Sequence, residues 1–222
     1  MTNLYAGIRS INPASGEVLE EFAVQTESEM EACLERSLQA ANAWRETSFA
    51  ERSTLLLRIA NLLRKDRQRL ARDITQEMGK PIAEAEAEVD KCVWNCRYVA
   101  EMGAQWLRDE PAGSSAAESY ISYLPLGVVL AVMPWNFPLW QVFRFAAPAL
   151  MAGNAVLLKH APNVTRCAIN IEDVGLRAGL LPGLLQNLIV PVDAVPALIR
   201  DDRIAAVTLT GSPRAGAVVA AI

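Results

Sequence analysis

Histidine is almost missing from this chain: His160 is the only one among 222 residues, and a lone histidine excludes any metal centre built on a histidine cluster. Cysteine is sparse and dispersed. The four thiols, Cys33, Cys92, Cys96 and Cys167, lack the paired short spacings of a zinc site or a disulfide framework. Cys92 and Cys96 stand one helical turn apart, which reads as two buried thiols on one helix face. Basic clusters are absent as well. With 21 Lys and Arg against 25 Asp and Glu the formal net charge is -4, and no dense run of cations offers a footprint for nucleic acid or an anionic membrane. The most apolar run, 127–133, is far too short to span a bilayer, and residues 1–9 carry no basic segment leading into an apolar core. These absences predict a cytoplasmic protein whose partners are small molecules, with neither nucleic acid nor membrane among them and no metal.

What is present is enough apolar side chain, 52% of residues, to build a substantial core. Thr26 with Glu29 forms a capping box, followed by Met30, Leu34, Leu38, Ala41 and Trp44 at three- and four-residue steps. Ser48 with Glu51 repeats the signal ahead of Leu55, Leu56, Ile59, Leu62, Leu63, Leu70 and Ile74, and Gly79 supplies a left-handed stop. Pro81 is placed to open a third helix through Glu84, Glu88, Val89, Trp94 and Tyr98, with polar and acidic residues outward. The spacing therefore predicts a three-helix cover within residues 1–110.

An Ala-, Gly- and Ser-rich stretch at 110–119 then breaks the helical pattern, and 120–124 reads as a strand. From there strand and helix alternate: strands at 128–133, 155–158, 184–190 and 204–209, helices at 139–151, 164–178 and 193–200. Apolar strands buried on both faces and joined by helices predict an α/β fold, an N-terminal helical cover plus a parallel Rossmann-like sheet. Residues 212–222 open like a helix and show no closing cap, so the chain is expected to be a fragment; the plain alternative is a short terminal helix docking its apolar face.

Ligands of open α/β sheets bind beyond the carboxyl ends of the strands, and three loops there are distinctive. After 128–133 comes Pro134-Trp135-Asn136-Phe137-Pro138, a rigid turn presenting an indole and a side-chain amide. After 155–158 comes Lys159-His160-Ala161-Pro162-Asn163, a cation at a strand end. After 204–209 comes Thr210-Gly211-Ser212-Pro213-Arg214-Ala215-Gly216, a glycine turn entering a helix whose free N–H groups favour phosphate. Singly, each admits a plain reading: an ordinary N-cap, a solvated lysine, a packed tryptophan. All three are expected at one sheet edge.

In this order and spacing, together with Ile11-Asn12-Pro13-Ala14-Ser15-Gly16-Glu17 and Glu77-Met78-Gly79-Lys80-Pro81, these motifs resemble the aldehyde dehydrogenase superfamily over essentially the whole chain. The Lys-His-Ala-Pro-Asn segment is similar to that of bacterial succinate-semialdehyde dehydrogenase-type members. The resemblance implies that residues 1–222 are the N-terminal, NAD- or NADP-binding domain of such an enzyme, truncated, with its catalytic domain absent and a homo-oligomer formed by the full-length form. It implies that Lys159, His160, Ala161 and Pro162 hold the adenosine ribose. Trp135 and Asn136 would stand beside the nicotinamide, and Gly211 and Ser212 would meet the pyrophosphate. In this family one helix start takes over the role of the usual Gly-x-Gly-x-x-Gly fingerprint. Pro162 replaces a ribose-binding glutamate found in many NAD-preferring relatives, which removes a charge that would repel a 2′-phosphate and leaves NAD or NADP open.

Asn136 is the residue the resemblance assigns to catalysis, as a donor to the oxyanion formed on the aldehyde. Arg144, eight residues on, matches the position that grips a substrate carboxylate in semialdehyde-specific members; its plain reading is a helix-surface arginine. The family's general base lies in a Glu-Leu-Gly-Gly stretch, followed about one strand-helix unit later by its nucleophilic cysteine. Neither stretch occurs among these residues. The implied parent function is NAD(P)-dependent oxidation of a small semialdehyde such as succinate semialdehyde; the alternatives are a non-catalytic nucleotide-binding or dimer-competing module, or a non-functional remnant. The terminal segment that would return to this domain and build a dimer sheet is also missing, so 120–124 is expected to be an unpaired edge.

Overall fold

The computed structural model describes residues 7–222; most of the 1–9 segment read above for a targeting signal lies outside them. An antiparallel hairpin comes first, β1 (Ile8–Ile11) with β2 (Val18–Phe22), which the periodicity did not foreshadow because both strands are largely exposed and too short to alternate clearly. Helix α1 (Glu27–Trp44) starts where the sequence puts it. The Thr26 side chain accepts from the Glu29 N–H while the Glu29 carboxylate accepts from the Thr26 N–H at 2.7 Å. Helix α2 (Phe49–Lys65) repeats the box with Ser48 and Glu51.

The expected second long helix is in fact two. It breaks at Asp66, which ends α2 and begins α3 (Arg67–Met78). The Asp66 carboxylate pairs with Arg69 at 3.0 Å and, from across the fold, with Arg177 at 2.7 Å, so a tertiary ion pair forms at the break. Leu63 and Leu70 lie seven residues apart, in phase on a continuous helix, and periodicity is blind to the kink. Helix α4 (Ile82–Trp106) follows Pro81, giving a cover of four helices among the described residues. Its outer face is less polar than expected: Trp94, Tyr98 and Trp106 are exposed there, the first two stacked and the last meeting Tyr98 edge-on, while Glu88 is buried.

Between cover and sheet, the strand expected at 120–124 shrinks to β4 (Tyr120–Ile121), paired antiparallel with β3 (Glu110–Pro111). The expectation of an unpaired edge is thus corrected: β3 occupies one side of it. Pro125 has no N–H to offer a strand ladder beyond Leu124. The central sheet then runs β5 (Val128–Met133), α5 (Trp140–Met151), β6 (Ala155–His160), α6 (Thr165–Ala178), β7 (Leu185–Asn187), α7 (Val195–Ile199), β8 (Ile204–Leu209) and α8 (Pro213–Ala220). Its four strands are parallel in the order β7-β6-β5-β8. Strand β7 is shorter than the expected 184–190. The helix read at 193–200 is a 3-10 turn, Val192–Ala194, leading into α7, and α6 is likewise preceded by a 3-10 turn at Pro162–Val164.

One core joins cover and sheet. Ile59, Leu63 and Ile74 from the cover, Phe143 and Leu150 from α5, and Leu130 and Leu157 from the sheet are all fully buried in it. Trp44 reaches across to donate its indole N–H to the Leu150 carbonyl at 2.8 Å. No helix among the described residues is long and apolar enough to cross a membrane.

Gly183, just before β7, marks how tightly α1 sits on the sheet. Its φ is +91°, and an added Cβ would fall 2.6 Å from the Arg36 carbonyl oxygen, while the Ser37 hydroxyl donates to the Gly183 carbonyl at 3.0 Å. Gly183→Ala should therefore cost about 2–4 kcal/mol, the left-handed strain plus overpacking against backbone. Gly16→Ala, at φ +76° with open space around it, should pay only the strain, about 1–2 kcal/mol. Urea unfolding of both variants checks this, and equal losses would show that contact with α1 is not the cause.

Candidate functional site

The register of the parallel sheet sets Met133 of β5 beside His160 of β6, and Val132 of β5 beside Leu209 of β8. The three strand ends, and the loops that follow them, therefore emerge at one edge. The chain winds outward from β5 through β6 to β7 and then returns to place β8 on the other side of β5. Such a reversal of strand order opens a crevice beyond the strand ends, here between β5 and β8. The Thr210 N–H donates to the Val132 carbonyl at 3.1 Å, closing the floor of that crevice.

Along one side runs the turn of residues 134–138. Trp135, Asn136 and Phe137 are exposed, whereas Pro138 is buried. Its rigidity comes from both flanks. The His160 ring accepts from the Ala161 N–H through Nδ1 at 2.8 Å, which leaves Nε2 to donate to the Pro138 carbonyl at 2.8 Å. A single neutral tautomer satisfies both bonds. Burial pushes its pKa down to about 4, against the smaller opposing pull of the Pro138 carbonyl.

Lys159 and His160 are not loop residues, as the sequence suggested; β6 extends through both, and both are buried. Each finds a backbone carbonyl, Pro138 for the histidine and His160 for the Lys159 ammonium at 2.9 Å, which lets the strand run two residues beyond its apolar core. Lys159 makes no ion pair among the described residues. Burial lowers its pKa from the ordinary lysine value. A buried ammonium with one carbonyl acceptor for three donors is a site that favours an anion. Ala161 is half-buried and Pro162 exposed at the start of the following turn.

On the other side of the crevice, Gly211 and Ser212 are exposed. Ser212 caps α8, its hydroxyl accepting from the Ala215 N–H at 3.2 Å, with Pro213 in the first turn. Arg144 of α5, itself exposed, donates to the Thr210 hydroxyl at 3.2 Å, so the arginine bridges the helix after β5 and the turn after β8. Beside Ser212 lies a mostly apolar cleft of about 280 Å³ walled by Val132, Val192, Val195, Leu209, Val218 and Val219, with Arg214 also on its lining. Sequence reasoning missed this wall. Its signal was Pro191-Val192-Asp193-Ala194-Val195-Pro196, a proline-bounded apolar loop after a strand, which was read only as a helix start.

The four cysteines are all buried. Burial raises the thiol pKa of Cys92, Cys96 (to about 12) and Cys167, so these three are protonated and poor nucleophiles. Among the described residues no group of His, Cys, Asp and Glu is arranged to hold a metal ion.

Comparison with known proteins gives a consistent picture. Residues 2–222 match the family model described as aldehyde dehydrogenase family. The chain is 49% identical over 218 residues to succinate-semialdehyde dehydrogenase (NADP(+)) 1 of Mycobacterium tuberculosis strain H37Rv, covering 97% of this chain and 48% of that protein. It is 48% identical over 219 residues to succinate-semialdehyde dehydrogenase (NADP(+)) of Mycobacterium avium, with coverage of 97% and 46%. Among solved structures, succinic semialdehyde dehydrogenase from Streptococcus pyogenes in complex with NADP+ superimposes with a TM-score of 0.93 at 37% identity, covering 97% of this chain and 48% of that one. The chain thus spans about half the length of the relatives it matches.

The His160 clamp has a measurable pH signature. An unfolded histidine takes up its proton near pH 6.5, whereas the folded one resists until about 4. Its contribution is therefore intact above pH 6.5 and is lost as the pH falls toward 4, by about 2 kcal/mol between pH 7 and pH 5. Denaturant unfolding of wild type and His160→Gln at both pH values should show a loss in the wild type larger by that amount. Parallel losses would refute a buried neutral imidazole.

Proposed function

Starting from the fact that the chain belongs to the aldehyde dehydrogenase family, we propose that residues 1–222 form a domain binding the cofactor NADP, or NAD, of an enzyme that oxidises a small carboxylate-bearing aldehyde such as succinate semialdehyde. The observation that carries this reading is the convergence at the β5/β8 crevice of three unlike features. These are an apolar cleft of about 280 Å³ beside β8, the capped start of α8 at its rim, and, at the neighbouring end of β6, a buried Lys159 with no counter-charge among the described residues. A dinucleotide asks for that combination: an apolar slot for a nucleobase, donors for pyrophosphate, and a cation for a phosphate on the ribose.

In this reading the apolar walls Val192, Val195 and Val218 take the adenine. Gly211 and Ser212 offer α8's free N–H groups to the pyrophosphate. Lys159 holds the adenosine ribose together with His160, Ala161 and Pro162, and Lys159 faces the 2′-phosphate. The absence of an acidic side chain at Pro162 supports NADP over NAD, as does the NADP dependence named for the relatives. Trp135 and Asn136 flank the nicotinamide, which when bound accepts hydride from the aldehyde carbon. The Asn136 amide donates a hydrogen bond to the oxygen of that carbon as it gains negative charge, an effect of about 100- to 1,000-fold in rate. Arg144, held toward the crevice through Thr210, pairs in two places with the substrate carboxylate. With its cysteines buried and no Glu-Leu-Gly-Gly stretch, the 222-residue chain carries the binding half of the reaction and neither its nucleophile nor its general base.

Calorimetry tests this. The folded chain should bind NADP+ at least about tenfold more tightly than NAD+, and Lys159→Met should bring the two within about threefold, a change of order 1 kcal/mol. A folded sample that binds neither nucleotide would overturn the reading. In a dehydrogenase assay with succinate semialdehyde and NADP+, the chain should give no turnover, and steady NADPH production by material of confirmed intact mass would refute the absence of catalytic groups.

A further inference from the structure

The turn that carries Trp135 and Asn136 is held from below by a pair of charges that the site does not otherwise use. Helix α5 has no capping side chain of its own: Leu139 occupies its N-cap. The carboxylate of Glu88, buried on α4, takes that place. One oxygen accepts from the Leu139 N–H at 2.9 Å and the Trp140 N–H at 3.0 Å, and the other accepts from the Lys80 ammonium at 2.5 Å. The same ammonium lies 3.6 Å from the centroid of the Phe137 ring. Lys80 and Glu88 are both almost wholly buried.

A buried carboxylate is tolerated only when its oxygens are filled, and a buried ammonium only when it is paired. Each group here meets that demand by gripping the turn. Glu88 fixes the residues after Pro138, and Lys80 fixes the ring before it. With His160 holding the Pro138 carbonyl, Asn136 sits in a turn clamped on both sides.

We propose that Lys80 and Glu88 are a positioning pair: by clamping Phe137 and the first turn of α5, they set the orientation in which Trp135 and Asn136 meet the nicotinamide half of the cofactor. This rests on the nicotinamide reading of that turn given above. It assigns neither residue any contact with ligand.

Two measurements test it, on wild type and two double variants, Lys80→Met with Glu88→Leu and Lys80→Met with Glu88→Ala. Both variants remove the two charges together, so they fold where an uncompensated single charge would not, and neither leaves a side-chain acceptor for the Leu139 and Trp140 amides. The first measurement is hydrogen exchange of the 139–143 amides without ligand, which should quicken at least about tenfold in both variants while the amides of β6 are unchanged. The second compares binding of NADP+ with adenosine 2′,5′-bisphosphate, which lacks the nicotinamide half. Both variants should leave the bisphosphate within about twofold of wild type and weaken NADP+ about fivefold or more. A purely structural role would weaken both ligands alike and would overturn the proposal, as would unchanged exchange at 139–143. If wild type binds NADP+ no better than the bisphosphate, the nicotinamide reading fails instead, and the exchange result still decides whether the pair holds the turn.

Discussion

Two buried carboxylates, offered by the helical cover to the starts of the crossover helices, are the constraint on which the rest of this structure depends. Glu88 accepts from the first N–H groups of α5. Glu77, at the end of α3, accepts from the Arg166 N–H at 2.9 Å and the Cys167 N–H at 2.8 Å at the start of α6. Neither crossover helix has a capping side chain of its own, so the orphan donors that every helix start must satisfy are answered from another layer. The two glutamates stand on either side of the turn between α3 and α4. Gly79 turns the chain there in a left-handed conformation, with φ +79°. One stretch of chain thus locks the cover to both helices that flank β6.

The functional consequence is positional. Because α5 and α6 are fixed at their N-terminal ends, the loops from strand end to helix start cannot wander: 134–138 leads into α5, and 161–164 leads into α6. These are the loops that border the crevice on the β5/β6 side. On its other side the constraint is much weaker. The turn of 210–212 is held by the Thr210 N–H and by Arg144, and α8 has no buried residue. The rigid wall carries Asn136 and Lys159, proposed above for the oxyanion and the ribose; the looser wall carries the donors proposed for pyrophosphate.

The charge buried at Glu77 and at Lys159 shows the same principle from two directions. Burial raises the pKa of Glu77, and the two amide donors at the start of α6 oppose that rise, so its carboxylate is nearly satisfied within the fold. Lys159 has only one carbonyl against its burial. The first is a completed structural joint. The second is a buried cation at a strand end with one acceptor for its three donors.

The sequence by itself determined most of the local structure. Both capping boxes, the left-handed stop at Gly79, the strands β5 and β8, the helices α5 and α6, and the clustering of three loops at one edge follow from side-chain chemistry within a few residues and from strand and helix periodicity. The tertiary structure decided whatever depends on partners distant in the chain. Asp66, at the break, finds its distant ion-pair partner in Arg177; His160, at the end of the extended β6, finds the Pro138 carbonyl; the apolar cleft needs α7 and α8 brought together across β8. Glu88 is the clearest case. Its spacing on α4 suggests a solvated acidic face, and only the packing of α4 against α5 places its carboxylate beneath two unpaired amides and beside a buried lysine. Local energies act between neighbours in sequence and can be read there, whereas the satisfaction of a buried charge is settled by what the fold sets against it.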